Sequence, residues 1–359
     1  MIEVPGVGAG DVFDAMSRAR LVRRWGHLRG DDRPVALRVA SDEAQAPVRE
    51  WLDREVSYQA GANRSRVLKQ LRNAESFSAA FAELSALSLL REELDCDVVL
   101  EAELDGQTPD LVVRSRENGG DQFIAEVWTR TIPADIVKRE QNWLLLSKAV
   151  GRIPIPVQLD LHVAGTAELR PPGDAERKRI VQDLRRWLGS GARHPRARVT
   201  SCGLTFEVVG ATRARASLLP ISVVRTIDRD RIVDAIEAKV VKYRKVAASR
   251  GLPLVVIVSA QARTGLTRDV VEEVLRGKNV LVFDFDLRTL GRMTSAPRTL
   301  RKSAAPPAFD ATLSAVAFLD VRAGYDAHIS VWPINGASRP LTSLTNSRRV
   351  EVRELPRSR

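Results

Sequence analysis

Apolar and polar positions follow clear periods along most of the chain. Residues 76–94, SFSAAFAELSALSLLREEL, place Phe77, Phe81, Leu84, Leu87 and Leu94 near one helical face behind a serine able to cap, which predicts a helix. DVVLEAEL then alternates apolar and acidic residues, Gly106-Gln107-Thr108-Pro109 supplies a turn, and DLVVR reads as a second short strand. Asn118-Gly119-Gly120 turns the chain into a third strand, QFIAEVW. Helix followed by a three-strand meander is therefore the first expectation.

Before this segment, residues 1–75 read as a basic, mostly helical region, with helices over Val12–Trp25 and Ala46–Leu71. After it, Pro133 opens a helix through Val150, with proline tolerated in the first turn. PVQLDLHVA reads as a strand, Asp174–Leu188 as a basic amphipathic helix, and GLTFEVVGA and SLLPISVVR as antiparallel strands. These close a core over residues 76–225. Residues 226–343 then form an α/β extension: the Arg229–Arg250 helix, the continuous apolar strand LPLVVIVSA, a helix ending at Gly277 and a further strand. This strand-helix-strand order predicts a parallel crossover that either extends the first sheet or builds a second layer. TSAPRTLRKSAAPP reads as an exposed loop, ATLSAVAFLDVRA and HISVWPIN as a closing hairpin, and residues 344–359 as a basic flexible tail.

Composition narrows the function classes. The chain has 359 residues, 44% of them hydrophobic, and 56 Lys plus Arg against 45 Asp plus Glu. The resulting +11 charge favours a polyanionic partner, nucleic acid first, although the basic residues are scattered along the sequence. Cys96 and Cys202 make neither a metal spacing nor a disulfide framework, so both read as buried small hydrophobes in a reducing, cytoplasmic compartment. No apolar run reaches the roughly 20 residues of a membrane span, and His27, His162, His194 and His328 form no ligand motif. There is no P-loop, dinucleotide turn or G-x-S-x-G elbow.

Three acids stand out by position. Glu83 has Ala79, Ala80, Ala86 and Leu87 as its three- and four-residue helical neighbours, Asp110 begins a strand directly after Thr-Pro, and Glu126 lies inside the apolar run FIAEVW. Glu83, Pro109-Asp110 and Glu126-Val127-Trp128 together resemble the PD-(D/E)xK superfamily, the restriction-endonuclease-like fold. The resemblance implies a central mixed sheet flanked by helices. It also implies Mg²⁺ or Mn²⁺ bound by Asp110, Glu126 and the Val127 carbonyl, with Glu83 as an outer ligand.

One departure concerns the family's lysine, whose position is held here by Trp128. Arg130, Lys138 or Gln141 are candidates to replace it, because Lys138 and Gln141 fall on the next helix and some relatives move this group. The Arg229–Arg250 helix, with Ala235-Ile236, Lys239 and Lys242-Tyr243, is similar to the later part of bacterial proteins that carry such cores. Lys239 and Lys242 there are candidates for phosphate contact, and a solvated lysine face is the competing reading. The functional expectation is metal-dependent cleavage of DNA, in a homodimer or a larger defence or repair complex. Two alternatives stay open: a nuclease-fold protein without turnover that binds nucleic acid or a partner, and acids of purely structural use.

Overall fold

The computed structural model describes residues 12–26, 33–131, 134–162, 170–219, 224–227, 229–260, 264–283, 298–303, 306–321 and 326–355. The chain divides into two units. Unit 1 is Met1–Thr131, Ile227–Leu281 and Arg298–Arg359, and unit 2 is Ile132–Thr226 with Val282–Pro297. The expected core of 76–225 is thus cut after its third strand, because the segment that follows builds a hydrophobic interior of its own.

Unit 1 opens with helices α1 (Ala15–Trp25), α2 (Val35–Ser41), α3 (Ala46–Ser57) and α4 (Gly61–Leu71), followed by α5 (Phe77–Glu93). Periodicity predicts one apolar face for α5, yet Ala82, Leu84, Ser85, Ala86, Leu87, Leu89 and Leu90 are all buried. The reason is that α5 is enclosed: α2 and α4 pack against it on one side and the main sheet on the other, so it is apolar nearly all round. Ser76 does not cap this helix; its hydroxyl donates to the Gln70 carbonyl at 2.9 Å. Glu55 on α3 is fully buried and is held by Arg91 of α5, whose guanidinium lies 2.9 and 3.0 Å from its two oxygens.

The meander follows as β1 (Cys96–Leu100), β2 (Leu111–Ser115) and β3 (Asp121–Arg130), paired antiparallel. The chain then leaves for unit 2. There α6 (Ala134–Val150), β4 (Val157–His162), α7 (Asp174–Gly189), β5 (Arg198–Ser201), β6 (Leu204–Ala211) and β7 (Ser217–Leu218) follow in order. The four strands lie β5-β6-β4-β7, and α6 and α7 cover them through Leu146, Val150, Ile180, Leu184 and Leu188. Cys202 and Gly203 form the two-residue β5–β6 turn with φ of 51° and 77°, the left-handed pair that a tight hairpin requires. Cys96 is buried as expected, whereas Cys202 is exposed at this tip. SLLPISVVR, expected as one antiparallel strand, contributes among the described residues β7, parallel to β4, and the first residues of β8 (Val224–Ile227).

Back in unit 1, α8 (Arg229–Arg250) leads into β9 (Leu254–Ala260), which lies between β3 and β12 (Leu313–Val321), parallel to both. The crossover therefore extends the first sheet. After β9 come α9 (Arg268–Leu275), β10 (Lys278–Phe283) and β11 (Arg298–Ser303), an antiparallel partner of β10 where the composition predicts a loop. β13 (Ala327–Pro333) closes the expected hairpin with β12, and β14 (Val350–Val352) adds a parallel edge. The tail is tied down in this stretch: Arg349 lies 2.6 Å from both Glu92 and Glu93 of α5. The main sheet is mixed, ordered β1-β2-β3-β9-β12-β13-β14, and no helix among the described residues is long and apolar enough to cross a membrane.

Candidate active site

The β2–β3 ladder ends at the pair Leu111↔Ala125. Beyond it, two backbone donors are met by side-chain acceptors. The Asp110 N–H donates to Glu126 Oε1 at 2.8 Å, and the Val127 N–H donates to Asp110 Oδ2 at 2.8 Å. Each acid thus completes the other strand's backbone, which fixes both carboxylates at the head of the sheet. Glu126 is 0% exposed, because the β3 alternation that turns Ala125 and Val127 toward α5 turns Glu126 to the opposite face.

On that face lies α8. Ile232, Ile236, Val240 and Tyr243 belong to its buried stripe, and the helix packs on β3 and β9. Lys239, three residues after Ile236 and four before Tyr243, sits on the margin of this stripe with its side chain 25% exposed. Its ammonium donates to Glu126 Oε2 at 2.7 Å and lies 3.7 Å from Asp110 Oδ2. The Tyr243 hydroxyl donates to the Thr108 carbonyl at 2.9 Å and so anchors α8 to the turn that delivers Pro109 and Asp110. Burial, followed by the charge of Glu126, pushes this hydroxyl far above the ordinary tyrosine range, so it stays a donor.

A second cluster adjoins the first. Arg66 of α4 bridges Glu83 of α5 at 3.2 Å and Glu101 at 2.8 Å, and the Glu101 N–H donates to the Asp110 carbonyl at 3.0 Å. Burial, followed by the charge of Asp110, pushes the Glu83 carboxyl up to about 7, with Arg66 acting against both. Burial and Asp110 likewise raise Glu126 above the usual carboxylate range, opposed by Lys239. For Lys239, burial would lower the value, but Glu126 and Asp110 outweigh it and hold the ammonium above ordinary lysine.

Glu83, Asp110, Glu126 and Val127 are therefore brought to one neighbourhood. Lys239, a candidate for phosphate contact from the sequence, is paired with the two acids in the structure. Lys242 is exposed on α8, with its ammonium 4.6 Å from the Tyr243 ring centroid. The side chain of Lys138 lies outside the described residues. Trp128 is half-buried on the same face of β3 as Glu126, two residues on. Arg66, Glu101 and Tyr243 do not stand out in the sequence; the place of Tyr243 in the apolar stripe is the one signal among them.

Among the described residues, no group of three or more His, Cys, Asp and Glu side chains is arranged to hold a metal ion. The donor chemistry nevertheless suits a small divalent cation. The carboxylates of Glu83, Glu101, Asp110 and Glu126 share the two clusters with Arg66 and Lys239, and their oxygens are hard ligands. No family model, curated protein or solved structure matches the chain.

Proposed function

We propose that unit 1 is a nuclease core of the PD-(D/E)xK type that hydrolyses phosphodiester bonds in DNA with Mg²⁺ or Mn²⁺, and that Lys239 takes the role of the motif lysine. The observation that carries this reading is the 2.7 Å contact of Lys239 with Glu126, beside Asp110. Trp128 leaves the motif without a cation, and α8 provides one to the same acids. α8 is also the helix that follows β3 within unit 1, because residues 132–226 are an insertion between them. The replacement thus comes from the next helix of the core, and α6, which carries Lys138, belongs to the insertion.

Asp110, Glu126 and the Val127 carbonyl would hold the ion, with Glu83 as an outer ligand; the bound ion would polarise the phosphodiester and lower the pKa of the attacking water. Lys239 favours the ionised form of Glu126 against its burial and presents an ammonium where negative charge develops on the phosphate. Arg66 and Tyr243 position the acids, Arg66 by pairing Glu83 and Glu101 and Tyr243 by fixing the turn before Asp110.

The test is cleavage of supercoiled and linear DNA by the full chain with Mg²⁺ or Mn²⁺, beside Asp110→Ala, Glu126→Ala and Lys239→Ala. Cutting by the wild type that falls at least about 100-fold in all three variants supports the assignment, a loss in the range typical of removing a group that stabilises developing charge. Cutting that survives Lys239→Ala removes Lys239 from the role. Absence of cutting by the wild type with either ion overturns the enzyme reading.

A further inference from the structure

The +11 charge of the chain is not spread evenly over the fold. Residues 132–226 hold sixteen Lys and Arg against eight Asp and Glu, so a segment of 95 residues carries +8 of the total. These cations are scattered along the sequence, but α7 gathers several of them. Ile180, Leu184 and Leu188 of α7 are fully buried against the unit 2 sheet. The opposite face presents Lys178, Arg179, Gln182, Arg185 and Arg186, all exposed. Lys178 with Arg185, and Arg179 with Arg186, are each seven residues apart, which puts two pairs of cations about 10.5 Å apart along one side of the helix.

Internal electrostatics does not account for this face. Lys178, Arg179 and Arg185 make no hydrogen bond or ion pair among the described residues. Arg186 reaches Asp183 only at 3.6 Å with its side chain 81% exposed, a geometry that contributes little. The helix dipole favours cations in the last turn, which covers Arg186 but not Lys178 and Arg179 in the second turn.

We infer that the outer face of α7 is a binding surface for the phosphate backbone of duplex DNA. Lys178, Arg179 and Arg185 are long donors without a partner among the described residues, arranged in a row with Arg186, and counterion release from a polyanion is what such a row stabilises. A bilayer is the wrong partner, because an interfacial helix must bury an apolar face in lipid and the apolar face of α7 is already in the unit 2 core. The inference shares with the nuclease reading only the polyanionic ligand, and it stands on residues of the other unit.

The experiment is fluorescence anisotropy of a labelled duplex of about 30 base pairs with the full chain in EDTA, which holds cleavage off, at a series of KCl concentrations. The Lys178→Gln/Arg179→Gln/Arg185→Gln variant is compared with a charge-matched control, Arg23→Gln/Lys69→Gln/Arg348→Gln, in exposed positions of unit 1. The thermal midpoint and circular dichroism of each protein verify folding. Loss of three phosphate contacts lowers the slope of log Kd against log salt by about 2.7 and weakens binding more than about tenfold at low salt, with the control changing less than about threefold. Equal weakening in both variants, an unchanged Kd in the α7 variant, or wild-type binding to phosphatidylserine vesicles but not to the duplex overturns the inference. Duplex binding that depends on α7 with no metal-dependent cutting sinks the nuclease reading and leaves this one standing. Cutting with a Kd indifferent to α7 does the reverse.

Discussion

Replacing Lys239 with methionine keeps the length and packing of the side chain and removes only its charge and donors. Glu126 would remain 0% exposed, with the Asp110 N–H still donating to it and the Asp110 carboxylate close by. Removing one member of a buried ion pair costs about 3–5 kcal/mol. Lys239 is 25% exposed, so water reaches one side of the site, and the expected loss is about 2–3 kcal/mol at pH 8. The loss depends on pH in a definite direction. The Glu126 carboxyl already lies above the unfolded value and rises further without its cation, so the variant's penalty is absent below about pH 4.5. It grows as pH rises above the wild-type folded value toward the variant's higher one, where the carboxyl is charged in the folded wild type but not in the folded variant. Urea unfolding combined with hydrogen exchange of β3 and α8 peptides reads unit 1 directly. Adding Glu126→Gln should restore at least half of the lost stability. A loss below about 0.5 kcal/mol at pH 8, the size of an ordinary surface change, or one equal at pH 5 and pH 8, would refute the buried-pair argument.

Three further outcomes follow from the same geometry. Trp128 shares the face of β3 with Glu126, so Trp128→Lys in the Lys239→Ala background should return at least about tenfold of the lost cleavage, measured on supercoiled DNA. Glu83→Gln should gain stability relative to the wild type by about 2–3 kcal/mol between pH 4.5 and pH 8, because a carboxyl raised to about 7 is neutral at no cost at the low end and is charged against burial at the high end; urea midpoints across that range test this. Arg91→Met should cost about 2–3 kcal/mol at neutral pH by leaving the fully buried Glu55 without its bidentate partner, and less near pH 4.5, as read by exchange in α3 and α5.

The half of the site built from neighbouring elements is legible in the sequence. Turn residues at 106–109 and 118–120 mark the strand ends, so Asp110 and Glu126 can be placed at the head of a meander from the residue pattern alone. The lysine is harder because its partner lies 113 residues away, across a unit with its own core, and no local period reveals which helix returns to the sheet. The apolar stripe of α8 is readable, but its margin is not: a lysine beside the stripe looks the same whether it meets water or a carboxylate. β11 escapes because RTLRKS is basic and barely alternates, and β14 because three residues in an arginine-rich tail carry almost no pattern. The Arg349 contacts that hold that tail to α5 span 256 and 257 positions of sequence.

The parallel pairing of β3 with β9 also bears on how the chain is made. In a nascent chain β3 emerges about 120 residues before β9, and synthesis at roughly 5–20 residues per second separates the two by about 6–24 seconds. During that interval the apolar segment FIAEV lacks its β9 neighbour, with Glu126 not yet matched by Lys239. Unit 2, whose strands pair with one another over short separations, can close in the meantime. The four strands β4 to β7 can thus pair before the main sheet is finished, and the acids meet their lysine only shortly before β9 joins β3.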